Sequence, residues 1–274
     1  QERFTIVLRM FSRRDFTEKV VAGSSFVDKS NFQVVEKLVL GVGAPFITPL
    51  LERLAEETNR AARMNLLKLL QQLDTAEVAS QAIKYLDDRR WFFVRNIVVL
   101  LRTLNDRKVM PHVKPLTMHS HPKVQIEAAR ACLAFGCPDS RKNLLEMLGS
   151  RDSQKIDMAI SLTTMVEDSE ITEKLLSMLR GAFMLDFQLE RKKAIVRALA
   201  QNAQREALPV FGEILTSSNL IHSGKLDALK DEIIRSLGQF EQSLLKPVLV
   251  QMSEKASDAV KVKLNPLCRK LGVA

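Results

Sequence analysis

The sequence has few of the residues that β-rich and turn-rich folds require. Of its 274 residues only 10 are glycine and 9 are proline, and aromatic side chains make up 5%, with a single Trp and a single Tyr. Leu, Val, Ala, Lys and Glu dominate instead, and this composition favours helix over strand. Because 46% of the residues are hydrophobic, the chain has ample material for a core. The composition therefore predicts an all-helical fold.

Cysteines and long apolar runs are also scarce. The three cysteines, Cys132, Cys137 and Cys268, are odd in number and lack the spacing of a zinc site. We expect them to be reduced and buried, which favours a cytoplasmic location. No stretch reaches the roughly 18 apolar residues of a membrane span, and the residues from Gln1 onward do not resemble a signal peptide. Because the chain does not begin with Met, we expect it to be part of a longer protein.

Motifs that carry chemistry are missing as well. No Ser or Cys lies in a nucleophile elbow, and the close pair Gly41 and Gly43 is not followed by the Lys-Ser/Thr of a phosphate-binding loop. His112, His119 and His121 lie near one another, but no Cys or carboxylate stands at ligand spacing from them, so they favour a solvated loop over a metal site. The sequence therefore predicts no catalytic residue, no metal, no cofactor and no small-molecule substrate, and it favours a protein that is not an enzyme.

A helical pattern recurs along the chain every 30 to 38 residues. Counted from Ala62 as a reference, apolar residues at +4, +5, +7 and +8 form a stripe on one helix, and similar stripes follow the later references. A shorter helical segment precedes each one, so each repeat suits a pair of helices. The seven references are Ala62, Val94, Val124, Gln154, Arg191, Leu229 and Val260.

A pair of about 30 residues cannot bury both of its apolar faces by itself, but stacked pairs share one core. The short polar breaks between the helices make neighbouring helices antiparallel. We therefore predict an all-α fold, an α-α superhelix of about seven helix pairs. Residues 41–274 would form one continuous solenoid domain, and residues 1–40 would form N-terminal capping helices.

Two segments carry a resemblance to a known family. Residues 88–96, from Asp88 to Asn96, look like the start of a second helix in HEAT repeats of the bacterial HEAT-like type, and residues 43–51 look like the opening of a first helix. The resemblance covers about 41–272 and is strongest over 44–136. It implies an armadillo-like binding scaffold whose second helices line the concave face.

The residue after each reference is basic at six of the seven positions, and we call these seven positions the basic column. The chain as a whole has a net charge of +9. If second helices line the concave face, these charges suit an acidic partner. The sequence therefore predicts a protein-binding scaffold with the candidate contacts Arg63, Arg95, Lys155, Lys192, Lys230 and Lys261; the seventh position is Gln125.

Three alternatives remain open at this point. The basic column could be structural, each basic side chain pairing with an aspartate such as Asp152, Asp227, Asp258 or Asp88. It could instead bind nucleic acid through its charge. A HEAT-like DNA glycosylase is less favoured. It would need an aromatic cleft, for which residues 91–93 are the candidates, beside a carboxylate of residues 87–88. Packing of 91–93 at the start of a helix is the simpler interpretation.

Overall fold

The computed structural model describes residues 10–181, 186–218 and 223–273. Within these ranges the chain forms sixteen α-helices and four short 3-10 helices, and it contains no β-strand. The predicted all-α fold class is confirmed.

Two helices lead the chain, and seven helix pairs follow. The leading helices are α1 (Arg14–Gly23) and α2 (Lys29–Val42). The first helices of the pairs are α3 (Ile47–Glu56), α5 (Thr75–Ile83), α7 (Met110–Val113, continued by a 3-10 helix over Lys114–Met118), α9 (Ser140–Leu148), α11 (Ser169–Arg180), α13 (Ala207–Thr216) and α15 (Gln242–Lys255). The second helices are α4 (Arg60–Gln72), α6 (Trp91–Leu104), α8 (Pro122–Phe135), α10 (Ser153–Thr163), α12 (Asp186–Gln201), α14 (Ser223–Ser236) and α16 (Asp258–Leu271).

Local sequence sets where many of these helices begin and end. Asn59, Asp74 and Asp152 stand just before α4, α5 and α10, and their side chains accept hydrogen bonds from the first backbone N–H groups of those helices. α8 and α16 end at Gly136 and Gly272 in the left-handed conformation that glycine adopts without steric cost. These caps keep the loops short, so consecutive helices run back and forth.

Contacts divide the chain into two compact units, Gln1–Ser140 (unit 1) and Arg141–Ala274 (unit 2). In unit 1 the second helices pack in succession, α4 against α6 and α6 against α8, while the first helix α3 packs against α5. Leu66, Phe93, Ile97 and Ala128 are fully buried between these layers. Equivalent positions of consecutive repeats therefore lie side by side in unit 1.

Unit 2 repeats this arrangement. α12 packs against α10 and α14, α14 packs against α16, and α13 packs against α11 and α15. Ion pairs join the consecutive second helices, as between Lys263 Nζ and Asp231 Oδ1 at 2.5 Å. Such exposed pairs contribute little stability, but their spacing of about one repeat shows that the repeats are in register. The division into capping helices and one continuous solenoid domain stays a prediction.

The structure tests two further predictions, the state of the cysteines and the absence of a membrane-spanning segment. Cys132, Cys137 and Cys268 are all free and buried, as predicted. Burial raises the pKa of the Cys132 thiol to about 12, which keeps it protonated and unreactive. Among the helices of the described residues, none combines the length and the apolar character that a membrane crossing requires.

Candidate functional site

Three members of the basic column contact the end of the first helix in their own pair. Arg63 Nη1 donates hydrogen bonds to the backbone oxygens of Glu57 and Thr58, at 3.1 and 2.6 Å, just after α3 ends. Lys192 Nζ donates to Leu179 O at 2.5 Å and also to Gly181 O, at the end of α11. Lys230 Nζ donates to Ser217 O at 2.6 Å, just after α13.

Gln125, the uncharged member of the column, makes the same kind of contact. Its Nε2 donates to His119 O at 2.5 Å, immediately after the first helix of its pair. The last carbonyl groups of a helix have no partner within that helix, and the helix dipole makes this end negative. A long side chain with a donor at its tip satisfies these carbonyls, which explains why Arg, Lys and Gln all serve at these four positions of the column.

Two of the predicted aspartate partners, Asp88 and Asp152, have other roles, whereas Asp227 acts on Lys230 through its charge. Asp152 caps α10 through the N–H groups of Gln154 and Lys155, and Asp88 forms a two-pronged ion pair with Arg90. At Arg63, Lys192 and Lys230, backbone carbonyls accept the hydrogen bonds that the sequence assigned to aspartates.

Burial lowers the pKa of two lysines of the column, Lys192 and Lys230. Only 5% of Lys192 is exposed, and burial lowers the pKa of its amine to about 8. Burial also lowers the pKa of Lys230, against the opposing charge of Asp227. Both amines hold the interior of unit 2 together and are turned away from solvent.

The lowered pKa of Lys192 predicts a pH dependence of stability. Between about pH 8 and pH 10.5 the unfolded chain keeps a proton on Lys192 that the folded chain has lost, so the free energy of unfolding should rise with pH. The variant Lys192→Met lacks the titrating amine. Relative to this variant, we expect the free energy of unfolding of the wild type to rise by on the order of 1–3 kcal/mol across this pH window. Urea unfolding of both proteins at the two ends of the window measures the difference. Parallel pH profiles would contradict the assignment.

The other three basic members of the column behave differently. Lys155 and Lys261 are exposed, and their ammonium groups form no hydrogen bond or ion pair with any residue that the structure describes. Arg95 lies in a concave part of unit 1. The structure thus separates the six candidates into three that cap helix ends (Arg63, Lys192 and Lys230), two exposed lysines (Lys155 and Lys261) and Arg95, and it places both Arg63 and Arg95 in the concave part of unit 1. Their predicted role in partner binding stays a prediction.

The concave part of unit 1 is an open groove of about 610 Å³, which we call the unit 1 groove. It lies where the second helices α4, α6 and α8 begin. Four basic side chains line it, together with two carboxylates, two aromatic rings and Ile126. The basic residues are Arg63, Arg95, Lys123 and Arg130, and the carboxylates are Glu57 and Glu127.

Glu127 organises the floor of the groove. Its Oε1 accepts hydrogen bonds from Arg95 Nη2 and Arg130 Nη1, both at 3.0 Å. The Glu127 side chain is only 5% exposed, whereas Arg95 and Arg130 are 39% and 31% exposed. The second oxygen, Oε2, is buried and has no hydrogen-bond partner among the described residues. A buried carboxylate therefore holds two arginines with part of each guanidinium open to the groove.

The aromatic wall of the groove comes from the start of α6. The Trp91 ring stacks on the His121 ring with centroids 3.8 Å apart and planes 5° apart, and the Lys123 ammonium lies 5.2 Å from the Trp91 ring centre. Phe92 is 40% exposed beside them, whereas Phe93 is fully buried. Of these three consecutive aromatic residues, Trp91 thus stacks on His121, Phe92 faces solvent and Phe93 packs in the core.

The structure does not bring the aromatic residues 91–93 together with a free carboxylate of 87–88, as a glycosylase would need. Nor does it place His119 and His121 as metal ligands. Asp88 is paired with Arg90, and neither Asp87 nor Asp88 lines the unit 1 groove. His121 caps α8 by accepting a hydrogen bond from the Lys123 N–H, and His119 accepts one from the His121 N–H. In the part of the chain that the structure describes, no three His, Cys, Asp or Glu side chains are placed to hold a metal ion.

A second concavity, of about 600 Å³, lies in unit 2 and has the opposite charge. Glu167, Asp168, Glu173 and Glu206 supply its carboxylates. Asp168 already caps α11 and pairs with Arg141, so part of this acidity serves the fold. The concavity has no further feature that indicates a ligand.

Comparisons with known proteins add only a coarse picture. A scan against protein-family models and a search of curated proteins give no match for this sequence. Among solved structures, YibA from Escherichia coli is similar at 13% identity, with 96% of each chain covered and a TM-score of 0.45. Human deoxyhypusine hydroxylase is similar at 12% identity, with 96% of this chain and 97% of that chain covered and a TM-score of 0.36. Similarity at these scores carries no argument about function.

One expectation needs correction. The prediction that the chain is not an enzyme was based on the absence of recognisable motifs, and it is wrong as an exclusion. The finding that contradicts it is that one of the similar structures is by its name a hydroxylase.

Proposed function

We propose that this chain is a HEAT-type helical-repeat module that binds a protein partner through the unit 1 groove. The observation that carries the proposal is the exposed Phe92 beside Arg95 and Arg130, which Glu127 fixes from below. Aromatic and arginine side chains dominate the energetics of protein interfaces, above all where they surround a recess.

The construction of the groove supports this proposal. Its side chains stand on the rigid helices α4, α6 and α8, and the shared bonds to Glu127 limit the movement of both arginines. Side chains that are ordered before binding lose less conformational entropy when a partner arrives. Of the six basic candidates from the sequence, Arg63 and Arg95 lie in this groove, so we place the partner contact there. A cytoplasmic setting and the bacterial HEAT-like type are parts of the same proposal.

Site-specific photo-cross-linking tests the proposal. A photoreactive amino acid at Phe92 is expected to yield discrete adducts with protein in a lysate of the native organism, because the ring faces the groove. The same group at Val34, which is 69% exposed on α2 outside the groove, serves as the matched control. The double variant Arg95→Gln/Arg130→Gln, whose amides can still donate hydrogen bonds to Glu127, should lose the adducts at position 92 while its far-UV circular dichroism remains helical. Equal adducts at positions 34 and 92, or none at 92, would contradict a groove interface.

A further inference from the structure

The geometry points to the chemical nature of the partner: we infer that the unit 1 groove binds an acidic peptide segment whose carboxylates flank one aromatic or bulky aliphatic side chain. The inference rests on the proposed function and makes it specific. Three features of the groove support it: the position of its cations, the buried Glu127 carboxylate among them, and the stacking of His121 on one face of Trp91.

Two of the four cations of the groove lie in the first turn of a helix. Arg63 is the fourth residue of α4 and Lys123 is the second residue of α8, so both cations lie at the positive ends of helices. A cation there opposes the dipole of its own helix, and Arg63 offsets this effect by donating to the carbonyls of Glu57 and Thr58. α6 also begins here, and the N–H groups of its first turn receive no hydrogen bond from the side chain of Arg90, which precedes the helix and pairs with Asp88. An anionic group from a partner would relieve this concentration of positive charge.

The anion should be a set of carboxylates on a peptide and not a polyphosphate. Two carboxylates stand among the four cations of the groove, so its excess charge is modest. Glu127 would repel a dense polyanion, and its Oε2 has no donor among the described residues. The open sides of Arg95 and Arg130 suit carboxylates in two-pronged geometry.

The apolar part of the groove fits a side chain better than a nucleobase. A base would bind by stacking on an aromatic face. One face of Trp91 is already covered by His121 at 3.8 Å, and the Lys123 ammonium lies near the ring as well. The accessible apolar surface is the Phe92 ring with Ile126 beside it, which suits a phenylalanine or leucine side chain of the peptide.

The inference is tested by fluorescence titration, because Trp91 is the single tryptophan of the chain and lines the groove. The probe is a short capped peptide with a phenylalanine between two pairs of acidic residues. We expect saturable change in the Trp91 emission. Replacing the acidic residues by their amides, or the phenylalanine by alanine, should weaken binding by about tenfold or more.

Variants of the protein locate the binding. Arg95→Gln and Arg130→Gln should each weaken peptide binding by about tenfold, whereas Lys155→Gln, which removes an exposed lysine of unit 2, should leave it unchanged. Far-UV circular dichroism and the emission maximum of each free variant show whether it is folded. Since the side chains of Arg95 and Arg130 are partly exposed, both variants should fold.

Other results would overturn the inference. Equal affinity for the acidic peptide and its amide form would remove the role of charge. Tighter binding of an oligothymidylate would show a nucleic-acid surface, and dimerisation of the chain that Arg95→Gln abolishes would show a second copy as occupant. If none of these probes binds although the cross-links at position 92 persist, the groove binds a protein of different chemistry, so the proposed function survives and this inference fails.

Discussion

Replacing Phe93 by alanine is expected to destabilise unit 1 by about 3–5 kcal/mol, whereas the same change at the neighbouring Phe92 should cost less than about 1 kcal/mol. Phe93 is fully buried, and its ring meets the Tyr85 ring edge-on with centroids 5.4 Å apart. Removing its ring leaves a cavity beside Tyr85 in the buried core of unit 1. Phe92 is 40% exposed, so truncating it creates no cavity.

The two phenylalanine variants can be measured with one signal. Urea unfolding followed by Trp91 emission reports on unit 1, because Trp91 adjoins both positions and is the single tryptophan. The order should reverse for peptide binding: Phe92→Ala should weaken binding strongly, and folded Phe93→Ala should weaken it little. Similar unfolding midpoints for the two variants would show that the contrast between core and surface at these positions is wrong.

Replacing Lys192 by glutamate is expected to destabilise unit 2 by about 3–5 kcal/mol. The amine of Lys192 donates to the carbonyls of Leu179 and Gly181 at the negative end of α11. A carboxylate in its place would be buried against carbonyl oxygens, would have no donor to offer them and would meet the helix dipole with the wrong sign. The chain should then unfold at a much lower urea concentration.

Lys155 provides the matched control, since it occupies the same position in another repeat of unit 2. It is exposed, and Lys155→Glu should change the free energy of unfolding by no more than about 0.5 kcal/mol. Urea unfolding followed by far-UV circular dichroism compares the two variants. If both changes had equal effects, the column would act through its overall charge and not through contacts with individual helix ends.

The repeat itself could be predicted because it is a local property of the chain. Stripes of apolar residues at helical spacing, polar breaks and caps such as Asp152 determine each helix within a few residues of its own sequence. All seven second helices contain the reference residues from which the sequence pattern was counted, from Ala62 in α4 to Val260 in α16. Packing then follows, since each pair has only its neighbours on which to bury its remaining apolar face.

The groove was much less predictable. Arg95 was selected from the sequence, but Glu127 was not, because a single glutamate in a helical pattern gives no sign that it is buried between two arginines. Residues 91–93 read as one aromatic block at the start of a helix. Successive residues of an α-helix are rotated by about 100°, so the three side chains point in different directions. Only the position of the neighbouring helix α8 decides which of these side chains it covers.

The sequence by itself determined the all-helical class, the seven helix pairs and a column of long donor side chains, because these depend on interactions within a few turns of one helix. Tertiary structure alone decided what the column does. The same type of residue caps a helix at Lys192 and Lys230, stays in solvent at Lys155 and Lys261, and enters a groove at Arg95. The reason is that each partner lies outside the helix of the column residue, 13 positions away for Lys192 and Lys230 and 32 positions away for Glu127 beside Arg95. These residues meet only when the helices pack.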